Sequence, residues 1–397
     1  MVPARLVGLN GSLITRVLAA VMMLVPVVSP AQEKPRARDL GIVVGTLQAG
    51  PANAITDVPG VAVGHRTVAS GDSINTGITA ILPHGGNLFL DRVPASIHVI
   101  NGFGKLLGIA QVQELGELES PILLTCTLCV WRAADALAEH LLAGSGMENV
   151  RSINVVVGET NDGRLNDIRL RPIASSDVVS AIQSARSGPV AEGSVGAGRG
   201  TVAFGWKGGI GTSSRVVQTE RGAGSYTLGV LVQSNFPGDL TISGVPVGRR
   251  LAARAIGMRT APGESAGSIM IVVATDAPLS SADLGRLARR AVFGVARTGA
   301  SGSSGSGDFV IAFSTAESTR RRAGDQPRPT SSAAVEVSGD RLNALFQAVA
   351  DATEEAIYNS LFTATPVTYR GRTTEALPVA QTLEILDRHA ARRTVER

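Results

Sequence analysis

The segment 261-APGESAGSIMIVVATDAP-278 constrains the fold more than any other part of the chain. Its second half, residues 268–275, is an apolar, β-branched run typical of a strand buried on both faces. Its first half consists of small residues typical of loops. One interpretation of the junction between Gly267 and Ser268 is a tight hairpin, but residues 276–278 end the strand and do not pair with it. The other interpretation is that the chain is cut at this junction, which makes Ser268 a new amino terminus.

The amino-terminal residues have the pattern of a signal peptide. Basic residues precede the short apolar run 17-VLAAVMMLVPVVSPA-31, which ends in small residues and is followed by polar, charged residues. The run is short for a membrane span and is interrupted by Pro26. We therefore predict a signal peptide at residues 1–31 and an exported protein, periplasmic or secreted, with no membrane span in its mature form. A retained amino-terminal anchor is the alternative interpretation.

Charge and composition argue against several classes of function. The net charge is +4, aromatic residues make up 4% of the chain, and the basic run at residues 320–322 has no aromatic neighbours, so we do not expect nucleic-acid binding. The five histidines lie in separate elements without metal-ligand spacing, so no metal site is predicted. Glycine, at 46 of 397 residues, exceeds the average of roughly 7%. This excess predicts many tight turns and close backbone approaches.

The two cysteines, Cys126 and Cys129, form a Cys-x-x-Cys motif between a strand-like run and a helix-like run. In thioredoxin-like proteins this motif opens a helix and is the redox centre. The rest of the chain does not have the pattern of such a redox domain, and buried cysteines often pack as small apolar side chains. We therefore favour a packing role over a redox role.

Apolar periodicity along the chain predicts an α/β protein. Strands and tight turns are predicted up to about residue 100, and further strands at residues 153–159, 214–219, 225–234, 268–275 and 308–315. Helices are predicted at residues 105–115, 132–144, 177–186 and 282–297, from about residue 340, and at residues 375–389. The sequence shows no internal repeat and no convincing linker. Several sheets covered by helices in one body is therefore the predicted architecture.

Three junctions between strands and loops carry polar residues suited to catalysis. They place Ser268 at the start of one strand, Ser306 and Asp308 ahead of another, and Asn235 at the end of a third. A serine hydroxyl needs a base, and the α-amino group of a new amino terminus, with a reference pKa of about 7.7–8.0, can accept its proton. Ser306 and Asp308 can bridge this transfer, and the amide of Asn235 can donate a hydrogen bond to an oxyanion. On the residues alone, a hairpin and two ordinary loops remain the alternative.

Several longer segments carry a family resemblance that covers nearly all of the predicted mature region. They include 55-ITDVPGVAVGH-65, 76-TGITAILPHGGNLF-89, 205-GWKGGIGTSSR-215, 268-SIMIVVATDAPL-279 and 305-GSGDFVIAFSTA-316. On these segments the chain resembles the self-processing serine aminopeptidases, which include the L-aminopeptidase/D-Ala-esterase/amidase and the β-aminopeptidases. The resemblance implies a four-layer αββα sandwich, similar to N-terminal-nucleophile hydrolases but with different strand connectivity. It also implies autocleavage into two chains that stay together.

The resemblance assigns roles to particular residues of this chain. Ser268 matches the family's nucleophile, and Ser306 with Asp308 matches its Ser-x-Glu/Asp pair. Asn235 matches the asparagine on the oxyanion side. Glu159 is the residue at which we place the family's contact to the free amino group of the substrate.

Two departures from the family pattern concern the substrate pocket. Relatives usually have Thr-Asn-Thr-Leu-Ser-Val-Gly where this chain has 125-TCTLCVW-131, so that Cys, Cys and Trp replace Asn, Ser and Gly. Some relatives are expected to carry an aromatic hydroxyl in or beside the loop at residues 159–167, which has none here, and we predict that Arg164 stands in its place. An arginine beside an amine-binding carboxylate repels an amine and favours an acidic group of the substrate.

The sequence thus predicts an exported, self-cleaving serine hydrolase that removes the amino-terminal residue from short peptides, amides or esters. We assign residues 1–31 to the signal peptide, 32–267 to the α-chain and 268–397 to the β-chain of one hydrolase domain, with autocleavage between Gly267 and Ser268. A homo-oligomer of such cleaved units is expected, and no metal or cofactor is implied. The rival interpretation is a non-catalytic scaffold or binding protein with the same fold. A second rival is an acyltransferase similar to the ornithine acetyltransferases, which would have threonine at position 268.

Overall fold

The computed structural model describes residues 34–218, 224–252, 267–324 and 339–392. The apolar run predicted as a strand at residues 268–275 forms one from Ser268 to Thr275. The signal peptide predicted at residues 1–31 lies outside the described residues. So do residues 253–266, which include most of the small-residue segment that precedes Gly267.

Strands and helices follow one another along the whole described chain. The strands are β1 (Ala62–Ser70), β2 (Ile74–Leu82), β3 (Asp91–Gly102), β4 (Leu106–Leu107), β5 (Glu117–Leu118), β6 (Ile122–Cys126), β7 (Val156–Thr160), β8 (Val202–Ala203), β9 (Trp206–Lys207), β10 (Gly209–Gln218), β11 (Ser225–Asn235), β12 (Ser268–Thr275), β13 (Gly307–Ser314), β14 (Arg321–Arg322), β15 (Val367–Tyr369) and β16 (Arg372–Thr374). The helices are α1 (Ile109–Leu115), α2 (Val130–Leu142), α3 (Ser175–Gln183), α4 (Val247–Ala252), α5 (Ser281–Arg297), α6 (Gly339–Phe362) and α7 (Val379–Asp387).

The strands form two large sheets and two short hairpins. The first sheet has the order β1-β2-β6-β7-β4, and the second has the order β10-β11-β12-β13-β3-β14, with β5 paired to β3. In the second sheet β12 and β13 are parallel, and they are flanked by β11 and β3, which run antiparallel to them. Strands that precede the Gly267–Ser268 junction therefore enclose the two strands that follow it.

Helices cover one face of each sheet, and the other faces of the two sheets pack together. Helices α2 and α3 contact the first sheet, and α5 and α6 contact the second. Three hydrophobic clusters occupy the spaces between successive layers. The arrangement is the four-layer αββα sandwich that was predicted, and it brings β7 of the first sheet against β12 of the second.

The position of β12 explains why its sequence is apolar at every step. Successive side chains of a strand point to opposite faces of the sheet. Ile269 and Ile271 enter the cluster between the second sheet and its helices, whereas Met270 and Val272 enter the cluster between the two sheets. A strand with a hydrophobic cluster on each side has no polar face, which is the pattern from which it was predicted.

Capping residues set the beginnings of two predicted helices. Ser280 is the N-cap of α5, and its side chain accepts a hydrogen bond from the backbone N–H of Asp283. Helix α3 begins at Ser175, and the backbone N–H of Ala174 ahead of it donates to Asp177 Oδ2 at 3.0 Å, so an aspartate within the first turn performs the capping.

The helix predicted at residues 105–115 is shorter in the structure. Leu106 and Leu107 form strand β4, which pairs with β7, and only residues from Ile109 onward are helical. Gly108 separates the two with a φ of 81°, a left-handed conformation that a helix cannot contain and that glycine adopts readily. Leu106 and Leu107, which the apolar periodicity assigned to a helix, therefore form an edge strand of the first sheet.

The long helix α6 buries charged residues against the second sheet. Glu355 on this helix accepts a hydrogen bond from Arg215 of β10 at 2.6 Å, and both side chains are fully buried. Asn53 Nδ2 also donates to Glu355, at 2.6 Å, so that the buried carboxylate has several partners.

Among the helices of the described residues, none combines the length and the apolar character required to cross a membrane.

Candidate active site

Ser268 lies at the start of β12, directly opposite Asn235 at the end of β11. Ser268 is 3% exposed. Its Oγ atom accepts a hydrogen bond from the backbone N–H of Asn161 at 3.2 Å and one from Asn235 Nδ2 at 3.4 Å. The predicted nucleophile is therefore held between two N–H donors, which are the groups that stabilise an oxyanion in acyl transfer.

The side-chain amide of Asn235 is oriented by its other partners. Its Oδ1 atom accepts a hydrogen bond from the backbone N–H of Val202 at 2.9 Å, and its Nδ2 atom donates to the carbonyl of Asn161 at 2.9 Å. With the amide oxygen engaged by Val202, the NH₂ group faces Ser268. This is the orientation required for the donor role that the sequence predicted.

Asn161 is a member of the site that the sequence analysis did not single out. It follows β7, the strand of the first sheet that faces β12. Asn161 contacts Ser268 through its backbone N–H, so the type of its side chain carries no signal for this contact. The available signal was the Asn-Asp-Gly run at residues 161–163, which predicts a turn at the end of a buried strand.

The buried side chain of Asp162 stabilises the loop that follows β7. This residue is 1% exposed, and its Oδ1 atom accepts a hydrogen bond from Asn166 Nδ2 at 3.1 Å. Burial raises the pKa of the Asp162 carboxyl to about 7. A Cβ atom at Gly200 would lie 2.9 Å from the Cβ atom of Asp162, so glycine at this position allows the close packing behind the loop.

Ser306 and Asp308 form a buried pair beside β12. Ser306 Oγ donates to Asp308 Oδ1 at 2.6 Å, and the backbone N–H of Ile269 donates to the same oxygen at 3.1 Å. In the register of the parallel strands, Ser268 lies opposite Gly307, the residue between the two members of the pair. Burial raises the pKa of Asp308, while the Ser306 hydroxyl and the Ile269 N–H oppose that rise by stabilising the carboxylate.

An apolar cavity of about 220 Å³ opens next to this pair. Besides Ser306 and Asp308, its walls include Phe236, Pro237 and Ile269. A small apolar group, such as an aliphatic side chain, fits the volume and the chemistry of these walls.

Gly267 is held firmly at the predicted cleavage junction. Its carbonyl oxygen accepts a hydrogen bond from the backbone N–H of Gly307 at 3.2 Å. A Cβ atom at position 267 would lie 2.6 Å from Pro237 Cδ and 2.9 Å from the Cα atom of Phe236. Only glycine therefore fits at this position without displacing the peptide bond to Ser268.

Glu159 lies on β7, two residues before Asn161, and is 4% exposed. Its Oε1 atom accepts a hydrogen bond from the backbone N–H of Lys105 at 3.0 Å and lies 3.5 Å from Lys105 Nζ. Its Oε2 atom is buried and has no hydrogen-bond partner in the structure. Burial raises the pKa of Glu159, and the Lys105 ammonium opposes that rise. A buried carboxylate oxygen without a partner is suited to receive a cationic group from a ligand.

Arg164 was predicted to be the cation beside Glu159. The structure places Arg164 in the exposed turn that follows β7, and it shows Lys105 in contact with the Glu159 carboxylate. Lys105 Nζ also donates to Thr127 Oγ1 at 2.7 Å, so the ammonium is held between the two side chains. The positive charge expected near Glu159 is thus present on Lys105, a residue that the sequence analysis did not assign to the site.

Cys126 and Cys129 are joined by a disulfide, which the sequence analysis did not predict. Both residues are buried in the cluster between the first sheet and its helices, but they are bridged, so they do not pack as the separate small apolar side chains that we favoured. The bridge spans Thr127, the residue that holds Lys105. Trp131, the third departure in this segment, is 48% exposed on α2.

Two of the histidines form local hydrogen bonds with partners other than Ser268. His65 Nδ1 lies 2.9 Å from Thr79 Oγ1, and His84 Nε2 lies 2.7 Å from the carbonyl of Asp91. Within the described ranges, no three His, Cys, Asp or Glu side chains are grouped so that they could hold a metal ion.

Comparison with known proteins gives matches over most of the chain. The sequence profile of peptidase family S58 matches residues 53–374. Beta-peptidyl aminopeptidase BapA of Sphingosinicella microcystinivorans is 40% identical to the chain over 386 residues, which cover 90% of this chain and 93% of that protein.

Two solved structures share both the fold and a substantial part of the sequence. A beta-aminopeptidase from Burkholderia sp. superposes with a TM-score of 0.80 at 40% identity, covering 91% of this chain and 100% of the other. The L-aminopeptidase D-Ala-esterase/amidase from Ochrobactrum anthropi, described as a prototype for the serine aminopeptidases and as a new variant of the Ntn-hydrolase fold, superposes with a TM-score of 0.80 at 36% identity and the same coverage. By its profile, its fold and its relatives, the chain belongs to the serine aminopeptidases of peptidase family S58.

Proposed function

We propose that this aminopeptidase is exported, cuts itself between Gly267 and Ser268, and then releases the amino-terminal residue from short peptides, amino-acid amides or esters. The observation that carries the proposal is the position of Ser268. Its hydroxyl lies between two N–H donors at the start of a central strand, and the carbonyl of the preceding residue is held by the backbone N–H of Gly307. Such a site presents both a nucleophile and an adjacent peptide bond.

After the cut, the α-amino group of Ser268 becomes the base for its own hydroxyl. Its reference pKa of about 7.7–8.0 leaves a useful fraction deprotonated near neutral pH. In the strand register Ser268 lies opposite the residue that separates Ser306 from Asp308. In this proposal the pair orients the amine and relays its proton toward the leaving group.

The carbonyl oxygen of the substrate accepts hydrogen bonds from the same donors that hold the Ser268 hydroxyl in the uncut chain. Both the Asn235 amide and the Asn161 N–H already point at Ser268 Oγ, within a distance of 3.4 Å. When Oγ bonds to the substrate carbon, the negative charge forms on the oxygen attached to that carbon, two bonds from Oγ and within reach of the same donors. Turnover then yields an ester on Ser268, which water hydrolyses to release the amino acid.

Glu159 supports the assignment to an aminopeptidase over a general amidase. Its Oε2 atom is buried without a hydrogen-bond partner, and Glu159 lies two residues before Asn161, whose backbone N–H donates to Ser268 Oγ. We propose that the free ammonium group of the substrate occupies this position. Two relatives are named as β-aminopeptidases, so we propose substrates with either an α- or a β-amino acid at the amino terminus.

The first expected result is that purified active protein consists of two fragments. Intact mass measurement should give two polypeptides divided between Gly267 and Ser268, and Edman sequencing of the carboxy-terminal fragment should begin Ser-Ile-Met-Ile. Its physical reason is the placement of the junction, where the Ser268 hydroxyl directly follows a Gly267 carbonyl that accepts a hydrogen bond from the Gly307 N–H. Active protein that consists of one uncut chain would contradict the proposal.

The second expected result is a strong preference for a free amino terminus. An N-acetylated substrate leaves the buried Glu159 carboxylate unpaired, and a lost hydrogen bond to a charged group costs about 1.5–3 kcal/mol. This corresponds to roughly 10- to 150-fold in kcat/KM. The measurement compares an aminoacyl p-nitroanilide with its N-acetyl form, for both an α- and a β-amino acid.

The variant Glu159→Gln should lose most of this preference, because an amide carries no charge to attract the ammonium. Glu114→Gln is the matched control, since Glu114 is an exposed glutamate on α1. The control should discriminate as the wild type does. Equal rates of the wild type on both substrates would remove the aminopeptidase activity from the proposal and leave a general amidase or esterase.

A further inference from the structure

The uncut chain contains two separate sets of N–H donors around the predicted cleavage junction. The backbone N–H of Gly307 donates to the carbonyl oxygen of Gly267. The Asn161 N–H and the Asn235 amide donate to the hydroxyl oxygen of Ser268. The electrophile and the nucleophile of the cut thus have different donors.

The donor on the electrophile is rigidly placed. Gly307 begins β13, which is parallel to β12 on one side and antiparallel to β3 on the other. A Cβ atom at Gly307 would lie 2.8 Å from the Cα atom of Gly104, so two glycines allow the backbones to approach this closely. An N–H group held in this way does not need to reorganise when charge develops on the oxygen that it faces.

The Asn161 and Asn235 donors cannot stabilise the Gly267 carbonyl oxygen while they hold the Ser268 hydroxyl. Both occupy acceptor positions of Ser268 Oγ, and an attacking oxygen must use a lone pair to bond to carbon. Loss of the Asn235 donor therefore removes no stabilisation from the Gly267 carbonyl and frees one lone pair of the hydroxyl.

We propose that the backbone N–H of Gly307 stabilises the oxyanion of self-cleavage, whereas the Asn235 donor is needed only for substrate turnover. The inference rests on the self-cleavage proposed above. It divides the two reactions of one nucleophile between two sets of donors.

The covalent step is an internal acyl shift followed by hydrolysis. Ser268 Oγ bonds to the carbonyl carbon of Gly267, and the carbonyl π electrons move to its oxygen, which Gly307 N–H faces. When the intermediate collapses, the bond from that carbon to the Ser268 nitrogen breaks, and the hydroxyl proton ends on that nitrogen. Water then cleaves the new ester, which leaves a carboxyl group on Gly267 and restores the Ser268 hydroxyl.

The direct test removes the Gly307 N–H. Glycolic acid can replace Gly307 by nonsense suppression during cell-free translation of the full chain, which exchanges one N–H for an ester oxygen. The cut, followed by gel electrophoresis after translation stops, should slow by about 10²–10³-fold, the usual effect of losing one oxyanion donor. The same exchange at Gly85, in an exposed turn after β2, is the control and should cut at the wild-type rate.

The second arm separates the two reactions through Asn235. Asn235→Ala should still cut at Gly267–Ser268, while kcat on an aminoacyl p-nitroanilide falls by about 10²–10³-fold. Asn235→Asp keeps an acceptor for the Val202 N–H and serves as a second variant if the alanine variant does not fold. A thermal melt reports the folded state of each.

The outcomes distinguish this inference from the proposed function. If the wild-type protein stays uncut, the self-cleavage in the proposed function is contradicted. A wild type that cuts, together with folded Asn235 variants that do not, would overturn the division of donors. So would a glycolic acid chain at position 307 that cuts as fast as the control at position 85.

Discussion

Ser268→Ala is expected to abolish substrate turnover and to leave the chain in one piece. The substitution removes Oγ, the atom that accepts hydrogen bonds from the Asn161 N–H and the Asn235 amide. Loss of the nucleophile in a serine protease lowers kcat by on the order of 10⁶-fold, which is below the detection limit of most assays. The measurements are hydrolysis of an aminoacyl p-nitroanilide and the intact mass of the purified protein.

The fold should tolerate this substitution because alanine occupies less space than serine and Asn235 keeps its bonds to Val202 and Asn161. Ser304→Ala is the matched control, since Ser304 is an exposed serine in the loop ahead of β13. The control should cut and turn over as the wild type does. Turnover by Ser268→Ala at a rate near that of the control would show that another residue is the nucleophile.

Asp308→Asn should lower turnover strongly while leaving the thermal stability near that of the wild type. The amide oxygen of asparagine can accept the same hydrogen bonds, from Ser306 Oγ and the Ile269 N–H, that the carboxylate accepts now. It cannot take up a proton. The expected loss in kcat is therefore about 10²–10⁴-fold, the range for lost proton-transfer help.

Asp72→Asn provides the control for this variant, because Asp72 is exposed in the turn between β1 and β2. Steady-state kinetics and a thermal melt should be measured on both variants. An Asp308→Asn enzyme with the wild-type kcat would make Asp308 a structural residue at the start of β13. A large fall in melting temperature would assign the loss of activity to folding instead.

The parts of the fold that depend on local pattern could be predicted from the sequence. The apolar run from Ser268 to Thr275 forms the predicted strand, and α5 covers the helix predicted at residues 282–297. The order of strands could not be predicted from pattern, because the pairing of β3 with β13 joins residues far apart in sequence. Such pairings depend on packing of the whole chain, which neither propensity nor periodicity contains.

The site residues that act through their side chains could be predicted from the sequence. Those that act through backbone groups could not. Asn235 and Ser268 were inferred separately and prove to be directly paired. Asn161 and Gly307 contribute backbone N–H groups, so the types of these residues carry no information about their contacts. Lys105 reaches Glu159 only because β4 pairs with β7, a contact that the predicted helix at residues 105–115 did not allow.

Family membership favours an enzyme over the scaffold that we considered as a rival. Serine rather than threonine at position 268 is consistent with the aminopeptidases and not with the acyltransferases of similar topology. The departures at Cys126 and Cys129 flank Thr127, whose hydroxyl accepts a hydrogen bond from Lys105 Nζ, the cation in contact with Glu159. We therefore expect these departures to affect the choice of substrate more than the chemical step.

The proposed cut between Gly267 and Ser268 would change the molecularity of folding, because the second sheet contains strands from both sides of this junction. Strands β12 and β13 come from the carboxy-terminal fragment and are enclosed by β11 and β3 of the amino-terminal fragment. Before the cut, the sheet assembles within one polypeptide; afterwards, the same sheet can form again only when two polypeptides meet in solution. Separation of the two fragments would break the pairing of β12 with β11 and of β13 with β3, so in this proposal the cut enzyme is held together by its unfolding barrier. The proposed cut would then leave an enzyme whose lifetime depends on never unfolding.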